Sequence, residues 1–172
     1  AELPLVIVTV QRGGPSTELP TKPEQSDLMF ALYGRNGESP LPVVPAKSPS
    51  HAFDAAYEAA RIALKYMTPV ILLSDNYVAT GSEPWNLPDI ETLNKLDTNI
   101  ITKLNTEDGF LPFLRNVDTF ARPWALPGTP GLEYRVGGLE KEEGTGNVSY
   151  DAANHQYMTD MRAWKISNIA ND

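Results

Sequence analysis

Two short apolar runs stand out along the chain, and both predict buried β-strands. Residues 5–10 (LVIVTV) are apolar and mostly β-branched, and residues 69–75 (PVILLSD) form the second run. A run without polar alternation is typical of a strand that is covered on both faces. Because helical patterns lie between the two runs, the order strand–helix–strand predicts a parallel sheet in an α/β fold. Val43-Val44, between prolines, is expected to form a short strand at a sheet edge.

Helical spacing and terminal residues predict three helices. The strongest covers about 49–67, a weaker one covers about 24–33 and ends at Gly34, and the last covers about 152–169 after the capping residue Asp151. The buried faces are expected to be Phe53, Ala56, Tyr57, Ala60, Leu64 and Met67 in the strongest helix, Leu28, Met29 and Leu32 in the weaker one, and Tyr157, Met158, Met161, Trp164 and Ile169 in the last.

Composition divides the chain into three parts. Residues 1–82 carry the α/β pattern, residues 83–150 form an irregular extension rich in proline and glycine, and residues 151–172 form the terminal helix. The chain opens without Met and feeds almost at once into a strand. We therefore expect it to be a fragment of a longer polypeptide.

Charge and cysteine content exclude several classes of protein. The 172 residues include 14 Lys and Arg against 22 Asp and Glu, a formal charge of −8, without basic clusters, so we expect neither nucleic acid nor an anionic membrane as a partner. The absence of cysteine excludes disulfides, cysteine-ligated zinc and iron–sulfur ligation by this chain. No apolar run reaches the roughly 18–20 residues that span a bilayer.

The best candidate for a binding site is the polar segment that follows the first predicted strand. In open α/β sheets, ligands bind beyond the carboxyl ends of the strands. Arg12 offers a planar guanidinium that matches a carboxylate or phosphate, and the glycine pair lets the backbone approach a ligand. We expect an anion site here; the alternative is a structural turn with Arg12 on the surface. The candidate residues are Arg12, Gly13, Gly14, Ser16, Thr17 and Thr21.

The remaining polar residues favour structural roles. Asp75, at the end of the second strand, is expected to be a cap, and His51 and His155 are expected to be partly exposed helix residues. The charged run 140–143 (EKEE) is interpreted as a solvated turn. No catalytic acid or base and no metal ligand is assigned within the chain.

Residues 11–28 (QRGGPSTELPTKPEQSDL) resemble the alpha subunit of 2-oxoacid:ferredoxin oxidoreductases, especially the 2-oxoglutarate type. The resemblance continues through residues 53–59 (FDAAYEA), 69–75 and 81–85 (GSEPW), resumes at 121–124 (ARPW) and extends over nearly the whole chain. It implies a partial parallel-sheet fold like that of thiamine-diphosphate-binding proteins. Within that fold, the chain would be the C-terminal part of the domain that binds the cofactor's pyrimidine.

The resemblance also implies an activity, cofactors and partners. Enzymes of this family convert a 2-oxoacid and coenzyme A to acyl-CoA and carbon dioxide and reduce ferredoxin. Thiamine diphosphate is expected to be shared with a beta subunit, which would hold magnesium and a [4Fe–4S] cluster, in a cytoplasmic oligomer. Arg12 matches the arginine that pairs with the substrate carboxylate, and Thr21 matches a threonine that assists it. Gly13, Gly14, Ser16 and Thr17 would shape the substrate loop.

Two departures from the family pattern limit this interpretation. Glu18 stands where the family usually has Gly, and its carboxylate would oppose an anionic substrate unless it points away from Arg12. The family's Tyr-Pro-Ile-Thr-Pro loop and its cofactor-contacting glutamate do not occur here, so we expect this polypeptide alone to be inactive. We also expect an exposed sheet edge that partner chains cover. The alternatives are a non-catalytic subunit-interaction module, a pyruvate-type oxidoreductase and an independent anion-binding protein.

Overall fold

The computed structural model describes residues 2–15, 19–20 and 22–172, and its centre is a three-stranded parallel sheet. The strands are β1 (Leu5–Gln11), β2 (Val43–Pro45) and β3 (Pro69–Asp75), in the order β1-β3-β2. Both pairs are parallel. The apolar side chains of β3 from Val70 to Leu73 are buried, as expected of a central strand. The predicted parallel α/β sheet and the edge position of β2 are therefore confirmed.

The described residues also form four α-helices and a second, small sheet. The helices are α1 (Leu28–Tyr33), α2 (Ala52–Tyr66), α3 (Asn76–Thr80) and α4 (Ala152–Ile169). The extension contains a 3₁₀ turn (Ile90–Thr92) and two short parallel strands, β4 (Ile100–Ile101) and β5 (Trp124–Ala125). The bounds of α4 and the Asp151 cap agree with the prediction, since the Asp151 side chain accepts a hydrogen bond from the backbone N–H of Asn154.

The predicted buried faces of α1 and α2 were wrong for the most part. Met67, directly after α2, is buried, Leu32, Tyr57, Ala60 and Leu64 are half-buried, and the other predicted residues are exposed. In α2 the buried residues are instead Ala55, Ala59, Ile62, Ala63 and Tyr66. The small alanines let the helix backbone lie close to the sheet. Phe53 instead faces the extension, where its ring contacts the Trp85 ring in a tilted arrangement with the centroids 5.5 Å apart. In α1 the only buried residue is Ala31, and Leu28 and Met29 are exposed. Alanine occurs on several faces of α2, so the spacing of its apolar residues does not indicate which face meets the sheet.

β1 is not covered on both faces, contrary to its apolar pattern. Its Leu5, Ile7, Val8 and Val10 are between 41% and 59% exposed. The reason is topological, because β1 pairs with β3 on one side and is otherwise an edge of the sheet within the described residues. The exposed apolar sheet edge expected from the sequence is therefore present.

Buried ion pairs join the start of the chain to the extension and to α4. The Glu2 carboxylate accepts hydrogen bonds from Lys165 Nζ at 2.5 Å and from Arg115 Nη2 at 2.8 Å. Lys165 also donates to the carbonyl of Met67 at 3.1 Å. Burial raises the pKa of Glu2, but the attraction and hydrogen bonds of Lys165 and Arg115 outweigh burial and lower it to about 2. We call Glu2, Arg115 and Lys165 the ion cluster.

Two further expectations about buried side chains need correction. On α4, Met158 and Met161 are buried as expected, but Tyr157 and Trp164 are exposed. Lys165 is buried instead, because its ammonium donates a hydrogen bond to the Glu2 carboxylate. The charged run 140–143 is not a solvated turn throughout, because Lys141 is only 5% exposed. The residue lies in a folded part of the extension, where its backbone forms an antiparallel bridge with Val148 and its carbonyl accepts from Asn154 Nδ2.

Candidate functional site

A cavity of about 370 Å³ lies where the carboxyl ends of β1, β2 and β3 meet. Its apolar wall comes from α1 and from the ends of β2 and β3. Its polar lining comes from Gln11, Gln25, Ser74 and Asp75. This is the edge at which open parallel sheets bind ligands, because successive strands end there and the loops diverge.

Gln11 is the last residue of β1, and its side chain connects three parts of the fold. It is buried, and it is the register partner of Asp75 at the end of β3. Its amide Nε2 donates to the carbonyl of Ser74 at 3.1 Å. Its Oε1 accepts from the backbone N–H of Asp27, just before α1, at 2.9 Å. One amide thus uses its donor and an acceptor to hold β1, β3 and the start of α1 together.

Asp75 is the second buried polar side chain at this edge. One carboxylate oxygen accepts from the backbone N–H of Val78 at 2.9 Å and caps α3, as predicted. The other accepts from Gln25 Nε2 at 2.5 Å. The hydrogen bond from Gln25, followed by that from Val78, lowers the pKa of Asp75, so this carboxylate is ionised near neutral pH. We call Gln11, Gln25 and Asp75 the amide network.

Only some of the candidate residues predicted from the sequence can be located. Arg12 is exposed directly after β1, and it is not among the residues that line the cavity. Gly13 is buried, and its N–H donates to the carbonyl of Lys22 at 3.5 Å, which brings residues 13 and 22 together. Gly14 is exposed. The candidates Ser16, Thr17 and Thr21, and also Glu18, lie outside the described residues.

The sequence analysis did not predict the amide network apart from the Asp75 cap. Gln11 and Gln25 lie within the quoted motif, but no role was given to either. The register of the strands could have indicated this network. Residue 75 ends one apolar run, residue 11 directly follows the other, and parallel pairing makes the two residues neighbours. Gln25 carried no comparable signal, because its partner depends on how the following residues cross the sheet edge.

The described part of the chain shows neither a metal-binding cluster nor a membrane-spanning helix. Across residues 2–15, 19–20 and 22–172, no group of three or more His, Asp or Glu side chains could hold a metal ion. Within the same ranges no helix is long and apolar enough to cross a membrane. His155 lies in α4, is exposed and pairs with Glu140 at 2.6 Å. His51 is half-buried directly before α2, and its Nδ1 accepts from the N–H of Lys47.

Comparison with known families identifies the sheet and its loops. A family model described as "Pyruvate flavodoxin/ferredoxin oxidoreductase, thiamine diP-bdg" matches residues 1–151. The chain belongs to this family. The match includes the whole three-stranded sheet and most of the extension, so the resemblance drawn from residues 11–28 is confirmed over most of the chain.

Relatives of this oxidoreductase family share both sequence and fold with the chain. The 2-oxoglutarate oxidoreductase subunit KorA of Mycobacterium tuberculosis is 53% identical over 168 residues, which is 98% of this chain and 25% of that protein. The 2-oxoglutarate synthase subunit KorA of Archaeoglobus fulgidus is 42% identical over 103 residues, 58% of this chain and 30% of that protein.

A solved structure has the same fold. The 2-oxoglutarate:ferredoxin oxidoreductase from Magnetococcus marinus, with 2-oxoglutarate, coenzyme A and succinyl-CoA bound, matches with a TM-score of 0.83 and 33% identity. The alignment covers 99% of this chain and 29% of that one. The chain therefore spans between a quarter and a third of the length of these relatives.

The family is named for thiamine diphosphate, but the described residues do not fit the whole cofactor. A diphosphate is bound in proteins through a divalent cation, and no cluster of side chains in the described ranges could hold one. At the sheet edge, both oxygens of Asp75 already accept hydrogen bonds from within the chain. We therefore derive no chemical step through the cofactor from these residues.

Proposed function

We propose that this chain works as part of the alpha subunit of a thiamine-diphosphate-dependent 2-oxoglutarate:ferredoxin oxidoreductase. The observation that carries this proposal is the 53% identity to the mycobacterial KorA subunit over 98% of the chain. The fold match to the Magnetococcus marinus enzyme with 2-oxoglutarate and coenzyme A bound supports the same substrates. The reaction joins oxidative decarboxylation of the 2-oxoacid to formation of an acyl-CoA and reduction of ferredoxin.

Within this function, Arg12 binds a carboxylate of the 2-oxoacid. Its guanidinium can form two parallel hydrogen bonds to a carboxylate, and such pairs fix orientation as well as charge. Its place directly after β1, at the carboxyl edge of the sheet, supports this role. Thr21 assists Arg12, while Gly13, Gly14, Ser16 and Thr17 shape the loop. Holding the acid group in this way directs the keto carbon toward the reacting cofactor atom.

The remaining parts of the reaction belong to partners in this proposal. A beta subunit holds the diphosphate with its magnesium and a [4Fe–4S] cluster, and ferredoxin accepts the electrons in the cytoplasm. Thiamine diphosphate supplies the carbanion chemistry when it is bound. This chain then contributes substrate binding, and by itself it is inactive.

Replacing Arg12 with Ala in the assembled enzyme tests this function. If the carboxylate pair is desolvated, its loss costs about 2–5 kcal/mol, so kcat/KM for 2-oxoglutarate should fall by about 30- to 5,000-fold. Steady-state assays with 2-oxoglutarate measure the effect, and Arg135→Ala, an exposed arginine of the extension, is the matched control. A near-normal kcat/KM for Arg12→Ala would refute the role of Arg12.

A pyruvate-type oxidoreductase is the second candidate, because the family description names pyruvate. Pyruvate has the 2-oxoacid group but lacks the second carboxylate of 2-oxoglutarate. The ratio of kcat/KM for the two substrates in the same enzyme separates the candidates. A ratio well above one for 2-oxoglutarate supports the first candidate, and a ratio well below one supports the second.

A further inference from the structure

Residues 12–26, which we call the Arg12 segment, are tied to the sheet at both ends. At its start, Gln11 is buried and donates to the carbonyl of Ser74 at 3.1 Å. At its end, the backbone N–H of Asp27 donates to Gln11 Oε1 at 2.9 Å. The same side chain therefore fixes the residue before the segment and the residue after it.

A second tie fixes the end of the segment to β3. Gln25 Nε2 donates to Asp75, whose other oxygen accepts from Val78 at the first turn of α3. Asp75 is 4% exposed, and Gln25 is exposed on the surface side of the bond. Hydrogen bonds to an ionised, buried carboxylate are stronger than neutral ones, so this tie is a strong constraint on the segment.

We infer that Gln11, Gln25 and Asp75 are positioning residues that hold the Arg12 segment in its substrate-binding conformation. The inference rests on the proposed function, because it gives the amide network a purpose only if Arg12 binds the 2-oxoacid. None of the three needs to contact the substrate. Their effect is carried by the backbone that starts at Gln11 and returns at Asp27.

The physical argument is the cost of ordering. Arg12 has a long side chain, and the backbone that carries it leaves the sheet directly after β1. A binding group acts efficiently only when its support holds it within about 0.5 Å of the productive position. If the segment were free at either end, part of the substrate's binding energy would be spent on ordering it. Loss of a tie should therefore weaken substrate binding more than it slows the chemistry.

Gln25 is the best position for a test, because it is exposed and its replacement leaves the core intact. Gln25→Met keeps the length of the side chain but removes the donor to Asp75. Gln25→Glu brings a second carboxylate against Asp75 and should loosen the segment further. The double variant Gln25→Glu with Asp75→Asn reverses the pair: the introduced amide can donate to the introduced carboxylate, and its oxygen can still cap α3 through Val78.

In the assembled enzyme, Gln25→Met should raise KM for 2-oxoglutarate by about tenfold, because one hydrogen bond to a charged group is lost, and Gln25→Glu should raise it further. The value of kcat should stay within about threefold, and KM for coenzyme A should not change. Hydrogen exchange of backbone amides in residues 12–26 should become faster. The double variant should restore both KM and exchange toward the parent values.

The control is a matched pair elsewhere on the surface. Gln156 donates to Asp160 at 2.9 Å within α4, so Gln156→Met removes a similar bond far from the segment. It should change neither KM nor exchange in residues 12–26. Unchanged exchange in both Gln25 variants, or no rescue by the double variant, would overturn the inference. Faster exchange with an unchanged KM would instead overturn substrate binding by the Arg12 segment, and with it the inference.

Discussion

The ion cluster around Glu2 and the amide network around Asp75 each hold a largely buried carboxylate, but they differ in the chemistry of its partners. In the ion cluster one carboxylate faces two cations, and the Lys165 and Arg115 side chains are 2% and 3% exposed. In the amide network one carboxylate is held by the Gln25 amide and by the backbone N–H of Val78 beside a cavity. Both clusters border a cavity, since Glu2 and Lys165 line one of about 180 Å³. The difference is that the first cluster pairs a charge with opposite charges, whereas the second pairs a charge with neutral donors.

The two arrangements have different physical consequences. Buried charges must be fully paired, so any rearrangement of the ion cluster leaves a desolvated charge and is strongly opposed. Burial indeed lowers the pKa of Lys165, although Glu2 acts against this effect. In the amide network the buried carboxylate is held by neutral donors, so no second charge has to be buried to fix the Arg12 segment. The ion cluster therefore serves stability, and in the proposed function the amide network serves position.

The largest expected effect comes from breaking the ion cluster. Glu2→Gln removes the only anion between Lys165 and Arg115 among the described residues, and it should lower the free energy of unfolding by about 3–5 kcal/mol. Urea unfolding followed by circular dichroism measures this change. Glu107→Gln, at an exposed carboxylate, should change stability by less than about 0.5 kcal/mol.

A second substitution shows whether charge or packing is responsible. Combining Glu2→Gln with Lys165→Met removes one of the two stranded cations and should recover part of the lost stability. If the double variant is as unstable as the sum of both single variants, shape rather than charge pairing holds this region together. The comparison with the amide network would then lose its physical basis.

Acid should affect the ion cluster over a defined range of pH. The pKa of Glu2 is about 2 in the folded chain against an ordinary value of 4.5, so its ionised form stabilises the fold. This stabilisation is complete above about pH 4.5 and is lost as the pH falls toward 2. It amounts to about 3 kcal/mol.

The measurement is the unfolding free energy from pH 6 down to pH 2.5, compared between the parent chain and Glu2→Gln. Other carboxylates titrate in both proteins, so the contribution of Glu2 appears as the difference between the two curves. The curves should converge as the pH falls. Parallel curves over the whole range would show that Glu2 does not titrate with a lowered pKa.

The smallest expected effect is at the other end of the helix that carries Lys165. Asp151→Ala removes the side-chain oxygen that accepts from Asn154 at 2.7 Å and should cost about 1 kcal/mol. Asp151→Asn keeps an acceptor and should recover most of that loss. Thermal unfolding distinguishes them, and a loss as large as that of Glu2→Gln would mean that the cap, rather than the ion cluster, holds α4 in place.

The elements that the sequence predicted well are those whose signals are local. Residues 69–75 form β3 with the predicted bounds, and α4 begins after Asp151 as its cap requires. The start of α1 was placed four residues too early, because Gln25 and Asp27 are held by side chains from the ends of β3 and β1. Local propensity cannot represent a bond between residues that lie far apart in the chain.

The candidate site shows the same division. The motif that begins at Gln11 placed Arg12 directly after a strand, and the structure has it there. The motif gave no role to Gln11 itself, since that role depends on parallel pairing with Asp75. Nor could it show that Lys165 is buried, because helical periodicity assigns a lysine to the solvent face.

The sequence by itself determined the family, the alternation of strands and helices, and the arginine that follows β1. Those properties depend on short runs of residues and on similarity along the chain. Only the tertiary structure decided which face of α2 meets the sheet, that β1 lies at an exposed edge, and that Glu2 meets Lys165 and Arg115. Such contacts depend on the distances between packed elements, and several arrangements of one apolar pattern can satisfy the same local preferences.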